Sequence, residues 1–157
     1  MKLTLKKFIF ALLLVPVFVS FSQAQTCNDS LVYDIDMIKQ NAETMLVYSV
    51  TAAVKMETGE SLLAFYLEGK LIKLTVDNSE NEGYMIAELF FKDGFIRHVA
   101  EEYRKDGKFY KDYYYFNNNK LICYENEHSG DYIDSILYSV AEKKWLEKAD
   151  KYLLAIQ

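Results

Sequence analysis

Three stretches decide the fold: Phe65-Tyr66-Leu67-Glu68-Gly69-Lys70-Leu71-Ile72, Phe90-Phe91-Lys92-Asp93-Gly94-Phe95-Ile96-Arg97 and Tyr115-Phe116-Asn117-Asn118-Asn119-Lys120-Leu121-Ile122. Gly69, Gly94 and Asn119 stand 25 residues apart. In each copy aromatic residues precede a two-residue turn signal and apolar residues follow it. A type I′ turn needs positive φ at both central positions, which Asp-Gly and Asn-Asn tolerate and Glu-Gly tolerates at its second. The aromatic and β-branched flanks favour strands. Residues 77–83 (DNSENEG) and Lys105-Asp106-Gly107-Lys108 supply turn signals between the copies. Residues 60–126 therefore read as six consecutive strands of an antiparallel meander: three hairpins with a 25-residue period.

The flanks are helical. Residues 131–156 put Ile133, Leu137, Val140, Trp145, Ala149, Tyr152 and Ile156 at three- to five-residue intervals. Glu142, Lys143, Glu147, Lys148, Asp150 and Lys151 fill the other side, which makes a long amphipathic helix. Asp131 and Asp134 resemble a capping pair at its start. A shorter helix is expected over 34–46, with Ile35, Ile38, Ala42 and Met45 inward. Residues 46–56 suit either a strand or a continuation of that helix. The expected fold class is α+β, with the helices on one face of the meander.

The segment Tyr113-Tyr114-Tyr115-Phe116-Asn117-Asn118-Asn119-Lys120-Leu121-Ile122 resembles the YYFDNGKLI hairpin of small secreted Bacteroidetes proteins. It is also similar to MORN-variant hairpin arrays. The resemblance covers residues 60–126 and implies repeated hairpins building one sheet; it carries no functional residues. Only three units and a long C-terminal helix set this chain apart from open arrays.

Residues 1–24 (MKLTLKKFIFALLLVPVFVSFSQA) read as a secretory signal peptide. Lys2, Lys6 and Lys7 precede an apolar run over 8–21, and Ser22-Gln23-Ala24 suits cleavage after Ala24. The run is too short for a transmembrane helix, which needs roughly 20 apolar residues. Lipidation at Cys27 is disfavoured because Ala24-Gln25-Thr26 precedes it. Cleavage leaves 15 basic and 23 acidic residues over residues 25–157, a single domain with net charge −8. That balance opposes nucleic-acid binding, which needs a basic surface. The expected location is periplasmic or secreted, with no transmembrane segment after cleavage. In such a compartment Cys27 and Cys123 either form one disulfide or remain two thiols. Asn28-Asp29-Ser30 fits a glycosylation sequon.

Strict alternation from the three turns sorts the sheet into two faces. One carries Ala64, Tyr66, Leu71, Ala87, Leu89, Phe91, Ile96, Ala100, Tyr114, Phe116, Leu121 and Cys123, and is expected beneath the helices. The other carries Phe65, Ile72, Leu74, Glu88, Phe90, Arg97, Val99, Lys111, Tyr113, Tyr115, Ile122 and Tyr124. Tyrosines among single charges suit recognition, because the ring is large and stiff and its tip is polar. Phe90, Arg97, Lys111, Tyr113, Tyr115 and Tyr124 are thus the expected partner-binding residues. The competing reading makes this face an ordinary solvated or helix-covered one.

Catalytic and metal patterns are weak. His98 near Glu101 and Glu102, and His128 beside Glu125, Glu127 and Asp131, are the two places a hydrolase-like site would use. Asp77, Ser79, Asn81 and Glu88 mimic a calcium loop, but Gly83 sits at the seventh rather than the sixth position. No phosphate-binding, nucleophile-elbow or zinc-protease motif occurs. The expected function is an exported, non-enzymatic binding module for a protein or small apolar ligand, with no cofactor and no metal. An inhibitor or immunity-type protein is the alternative of similar form.

Overall fold

Among the described residues, four two-residue turns shape the chain. Glu68-Gly69, Asp93-Gly94, Asp106-Gly107 and Asn118-Asn119 all hold positive φ at both positions, between 49° and 79°. This is the backbone that matches the right-handed twist of hairpin strands. Glu68 is the poorest fit, because a γ-extended side chain gains nothing from the left-handed region that Asn and Asp tolerate. Glu68→Asn is expected to raise stability by about 0.5–1 kcal/mol. Urea midpoints of the two proteins measured side by side check this.

The structure, a computed structural model, describes residues 27–79, 84–127 and 135–157. The expected signal peptide and its cleavage point, Asn81, Gly83, His128, Asp131, Ile133 and Asp134 lie outside the described residues. The elements run α1 (Asp29–Met45), a 3₁₀ turn (Leu46–Tyr48), β1 (Val50–Lys55), β2 (Ser61–Leu67), β3 (Lys70–Asp77), β4 (Met85–Lys92), β5 (Phe95–Lys105), β6 (Lys108–Asn117), β7 (Lys120–Asn126) and α2 (Ser135–Ala155). All seven strands join one antiparallel sheet in sequence order, β1-β2-β3-β4-β5-β6-β7. The six expected strands are β2–β7. Residues 46–56 resolve into the 3₁₀ turn and an added strand, β1.

The helices do not share a face. α1 packs Ile35 on Tyr115 and Cys123, with Val32, Tyr113 and Ile122 around them. α2 buries Ala141, Trp145, Ala149 and Tyr152 against Leu62, Leu74, Leu89, Phe116 and their neighbours on the other side. The domain is therefore three layers, helix on sheet on helix. Trp145, Ala149, Tyr152 and Ile156 face inward as expected. Leu137 and Val140 are exposed, at 52% and 60%, because the inward 3.6-residue rhythm runs through Ala141 instead.

The two-face assignment fails at one recurring feature. Register shifts fall between Phe65 and Tyr66, Phe90 and Phe91, and Tyr115 and Phe116. Opposite each shift the partner strand holds one extra residue: Ile72, Arg97 or Ile122. These bulges recur with the 25-residue period of the turns. An extra residue inverts the alternation beyond it. Leu74, Val99 and Tyr124 consequently join the α2 core. Cys123 faces α1 instead, as do His98 and Ala100 by alternation.

α1 starts earlier than its apolar periodicity suggests. Asn28 is its N-cap, its side-chain oxygen accepting from the backbone N–H groups of Ser30 and Leu31 at 3.1 and 3.4 Å. The sequon asparagine thus serves as a cap. Ile35 and Ala42 are buried as expected, whereas Ile38 is half-buried and Met45 is exposed. Cys27 and Cys123 form a disulfide with Cα atoms 5.0 Å apart. α1 therefore starts beside β7 and ends where the chain enters β1, crossing the sheet between its two edges.

Side chains anchor α2. Glu142 accepts from the Leu121 backbone N–H at 2.8 Å and from Lys120 Nζ at 3.1 Å. The Tyr138 hydroxyl accepts from the Tyr124 N–H at 3.0 Å. Lys151 donates to Glu60 at 2.8 Å. Burial pushes the Glu60 carboxyl up, but Lys151 and Thr58 outweigh it and hold it below its ordinary value.

Candidate functional site

A layer packed for stability alone would fill the space between sheet and helix with hydrocarbon. At the end of the sheet near the Asp106-Gly107 turn this chain does otherwise. Glu101 on β5 and Asp112 on β6 are direct cross-strand partners. Both are buried, at 6% and 5% exposure. The Tyr114 hydroxyl lies 3.2 Å from Glu101 Oε2 and 3.4 Å from Asp112 Oδ2. One hydroxyl proton cannot satisfy both at once. Lys144 reaches from α2 to both Glu101 oxygens, at 3.0 and 2.9 Å. Asn126 Nδ2 donates to Asp112 Oδ1 at 2.6 Å and to the Tyr124 hydroxyl at 3.1 Å.

The electrostatics follow from burial. Desolvation pushes the Asp112 carboxyl up from its ordinary value, and the Glu101 charge adds to that. Hydroxyls of Tyr124, Tyr103 and Tyr114 donate to Asp112 and oppose the shift without cancelling it. Burial likewise raises the phenols of Tyr103 and Tyr114, helped by the same two carboxylates. Tyr124 is pushed up to about 12, burial again being the main cause.

A raised folded-state pKa has a definite sign in stability. Below the unfolded value, about 3.9 for Asp, both states are protonated and nothing is lost. As pH rises through the folded pKa, the native state must ionise a buried group, and stability falls. Asp112→Asn removes that charge. It is expected to raise the melting temperature at pH 7, by about 1 kcal/mol in stability, with the advantage vanishing below about pH 4. Thermal melts of both proteins across pH 3–8 test the sign.

These groups open onto a cavity of about 240 Å³, lined also by Tyr84, Met85, Tyr103 and Arg104. At its mouth Tyr84 donates to Glu102 at 3.1 Å and meets Phe109 edge-on at 5.2 Å. The formal charges in the lining balance: Glu101 and Asp112 against Arg104 and Lys144. Three phenols add flat faces and polar tips. Such a wall suits an uncharged ligand rich in hydroxyls better than an ion or a hydrocarbon.

The residues expected to bind a partner lie elsewhere and apart. Phe90 is fully buried and Tyr115 is 5% exposed, both on the α1 side. Tyr124 is on the opposite face, in the α2 core. Arg97, Lys111 and Tyr113 keep partial exposure. Arg97 donates to Asn117 at 3.0 Å, and the Tyr113 hydroxyl donates to Glu127 at 2.6 Å. Lys111 lines a shallow cavity of about 230 Å³ with Glu102, Phe109, Tyr110 and Glu127. A protein partner on this side would meet Arg97, Lys111 and Tyr113.

His98 is 1% exposed, wedged against Phe90, Tyr113 and Tyr115 at ring distances of 4.9–5.9 Å. Burial, and the Lys39 charge, push its pKa down to about 3. Its Nδ1 has no hydrogen-bond partner. A neutral imidazole this weakly basic is a poor general base, and alternation along β5 puts it on the face opposite Glu101, which faces α2. Glu88, the last residue of the calcium-like loop, sits in β4 paired with Lys73 at 2.6 Å.

Sequence reasoning missed the Glu101–Asp112 pair. Its signal was available: both carboxylates fall on the apolar face of their strands once the bulge is placed.

Comparison with family models, with curated proteins and with solved structures finds no match. No helix among the described residues is long and apolar enough to cross a membrane.

Proposed function

We propose that this protein is an exported, non-enzymatic binding module of the cell envelope. Its ligand is a small, uncharged, hydroxyl-rich molecule taken up between β4–β6 and α2. One observation carries the reading: two opposed buried carboxylates, three tyrosines, Arg104 and Lys144 surround about 240 Å³ of open space. Buried ionic groups usually stabilise no better than hydrocarbon of the same volume. Their concentration around a void favours recognition over packing. Export is supported by the charged, apolar, small-residue pattern of residues 1–24 and by a disulfide suited to an oxidising compartment.

The test is titration of the chain with a panel of mono- and disaccharides and polyols, followed by backbone amide NMR. Saturable shifts are expected at Tyr84, Tyr103 and Lys144, with affinity falling about tenfold in Tyr84→Ala, a typical loss for one aromatic contact. Shifts confined to the α1 side, or no saturation by about 10 mM for any compound, would refute the assignment. Turnover of any of these compounds would refute its non-enzymatic part.

A further inference from the structure

The two edges of the sheet are treated differently. β7 is closed: Glu142 and Tyr138 of α2 accept from its backbone N–H groups at Leu121 and Tyr124. β1 is open. Among the described residues no side chain is hydrogen-bonded to the outer backbone of residues 50–54, and no strand lies beyond it. Open edges in stable monomers are usually blunted by a charge, a proline or a bulge. Residues 45–54 contain no charged residue and no proline, and the one charge of β1, Lys55, stands at its last position, away from the centre of the edge. The register of β1 on β2 is unbroken from Val50 to Lys55. Exposed apolar groups gather at its start: Val47 at 80%, Tyr48 at 78% and Val50 at 73%.

We propose that β1 pairs antiparallel with β1 of a second copy, joining two seven-stranded sheets into one across a two-fold axis. The self-complementarity of β1 argues for a second copy. Residues facing one another across an antiparallel pair present their backbone groups together, so the axis passes through a residue and not between two. Centred on Ala52, the pairing sets Val50 against Val54, Thr51 against Ala53 and Ser49 against Lys55. No like charges meet, although the chain as a whole is acidic, with 23 Asp and Glu. Val54 already packs on the α2 core, and Val50 and Ala52 share its face. The two copies would therefore extend one apolar layer across the seam, covering Val50 with the partner's Val54. Cross-strand pairs of this kind are the unit of sheet stabilisation. The arrangement is isologous, as a closed dimer requires.

Sedimentation of the oxidised chain over a hundredfold concentration range tests this. A concentration-dependent dimer is expected, twice the 18.3 kDa chain mass or the corresponding value after cleavage. Val50→Lys with Ala53→Lys charges two exposed positions and should weaken dimerisation at least about tenfold with an unchanged melting profile of the monomer. Hydrogen exchange at residues 50–54 should slow as dimer forms. A chain that stays monomeric, or a dimer that survives the double substitution with fast exchange in β1, overturns the proposal. So does slow exchange in β1 only after a foreign peptide strand is added.

Discussion

Breaking the Cys27–Cys123 bond, by reduction or by Cys27→Ser with Cys123→Ser, is expected to lower the unfolding free energy by about 4–5 kcal/mol. The bond spans 96 residues of sequence, and in the chain-entropy model a loop of that length restricts the unfolded ensemble by roughly this amount. A domain of this size has about 5–15 kcal/mol in total, so the loss is a large share. The effect will not be spread evenly. α1 buries only Ile35 and Ala42 fully along 17 residues, and its N-terminal end is held to β7 by the disulfide. Without that tie the helix should lift first, exposing Phe90, His98 and Tyr115. Limited trypsin digestion is then expected to cut at Lys39 in the reduced protein and spare it in the oxidised one. Guanidinium unfolding with and without reductant gives the magnitude. Equal midpoints, or cleavage in α2 ahead of α1, would show that the helix is held by packing alone.

Turns and strands were legible because their signals are local. Asp-Gly and Asn-Asn between aromatic and aliphatic residues can do little else, and all three expected turns stand where the 25-residue period puts them. The bulges were legible too, though in a weaker code. Leu71 with Leu74, Ile96 with Val99, and Leu121 with Tyr124 are three residues apart on one face; strict alternation never yields such a spacing. Overlooking it exchanged the surroundings of His98, Cys123 and Tyr124. Which face each helix takes was not legible, since both faces carry aromatic and aliphatic residues and the choice is made by long-range packing. β1 was legible only as one of two alternatives for a related reason: Val-Thr-Ala-Ala-Val-Lys is short, and pairing with β2 is what makes it a strand. The carboxylate pair was legible only in two steps: the bulge at Arg97 turns Glu101 to the apolar face, and the register of β5 on β6 then sets it opposite Asp112.

Trp145→Ala is expected to cost about 3–5 kcal/mol, the range for losing a fully buried large aromatic side chain. Trp145 is completely buried at the centre of α2. Its ring lies 5.6 Å from that of Tyr114, with Lys144 and Lys148 ammonium groups 5.0 and 5.2 Å from the indole centroid. The consequence reaches the cavity, because Tyr114 is the hydroxyl between Glu101 and Asp112. A void behind its ring admits water toward the carboxylates, and hydration relieves the burial that raises Asp112. The alanine variant should thus be less stable at every pH, yet lose less stability than the parent as pH climbs from about 4 to 7. Trp145→Phe, which keeps a ring beside Tyr114, should cost less than half as much and retain the parental slope. Because Trp145 is the only tryptophan, circular dichroism rather than indole fluorescence has to follow all three proteins. Parallel pH slopes in the alanine variant and the parent would mean that the indole supports the core without screening the carboxylate pair, and the link between α2 packing and the cavity would fall.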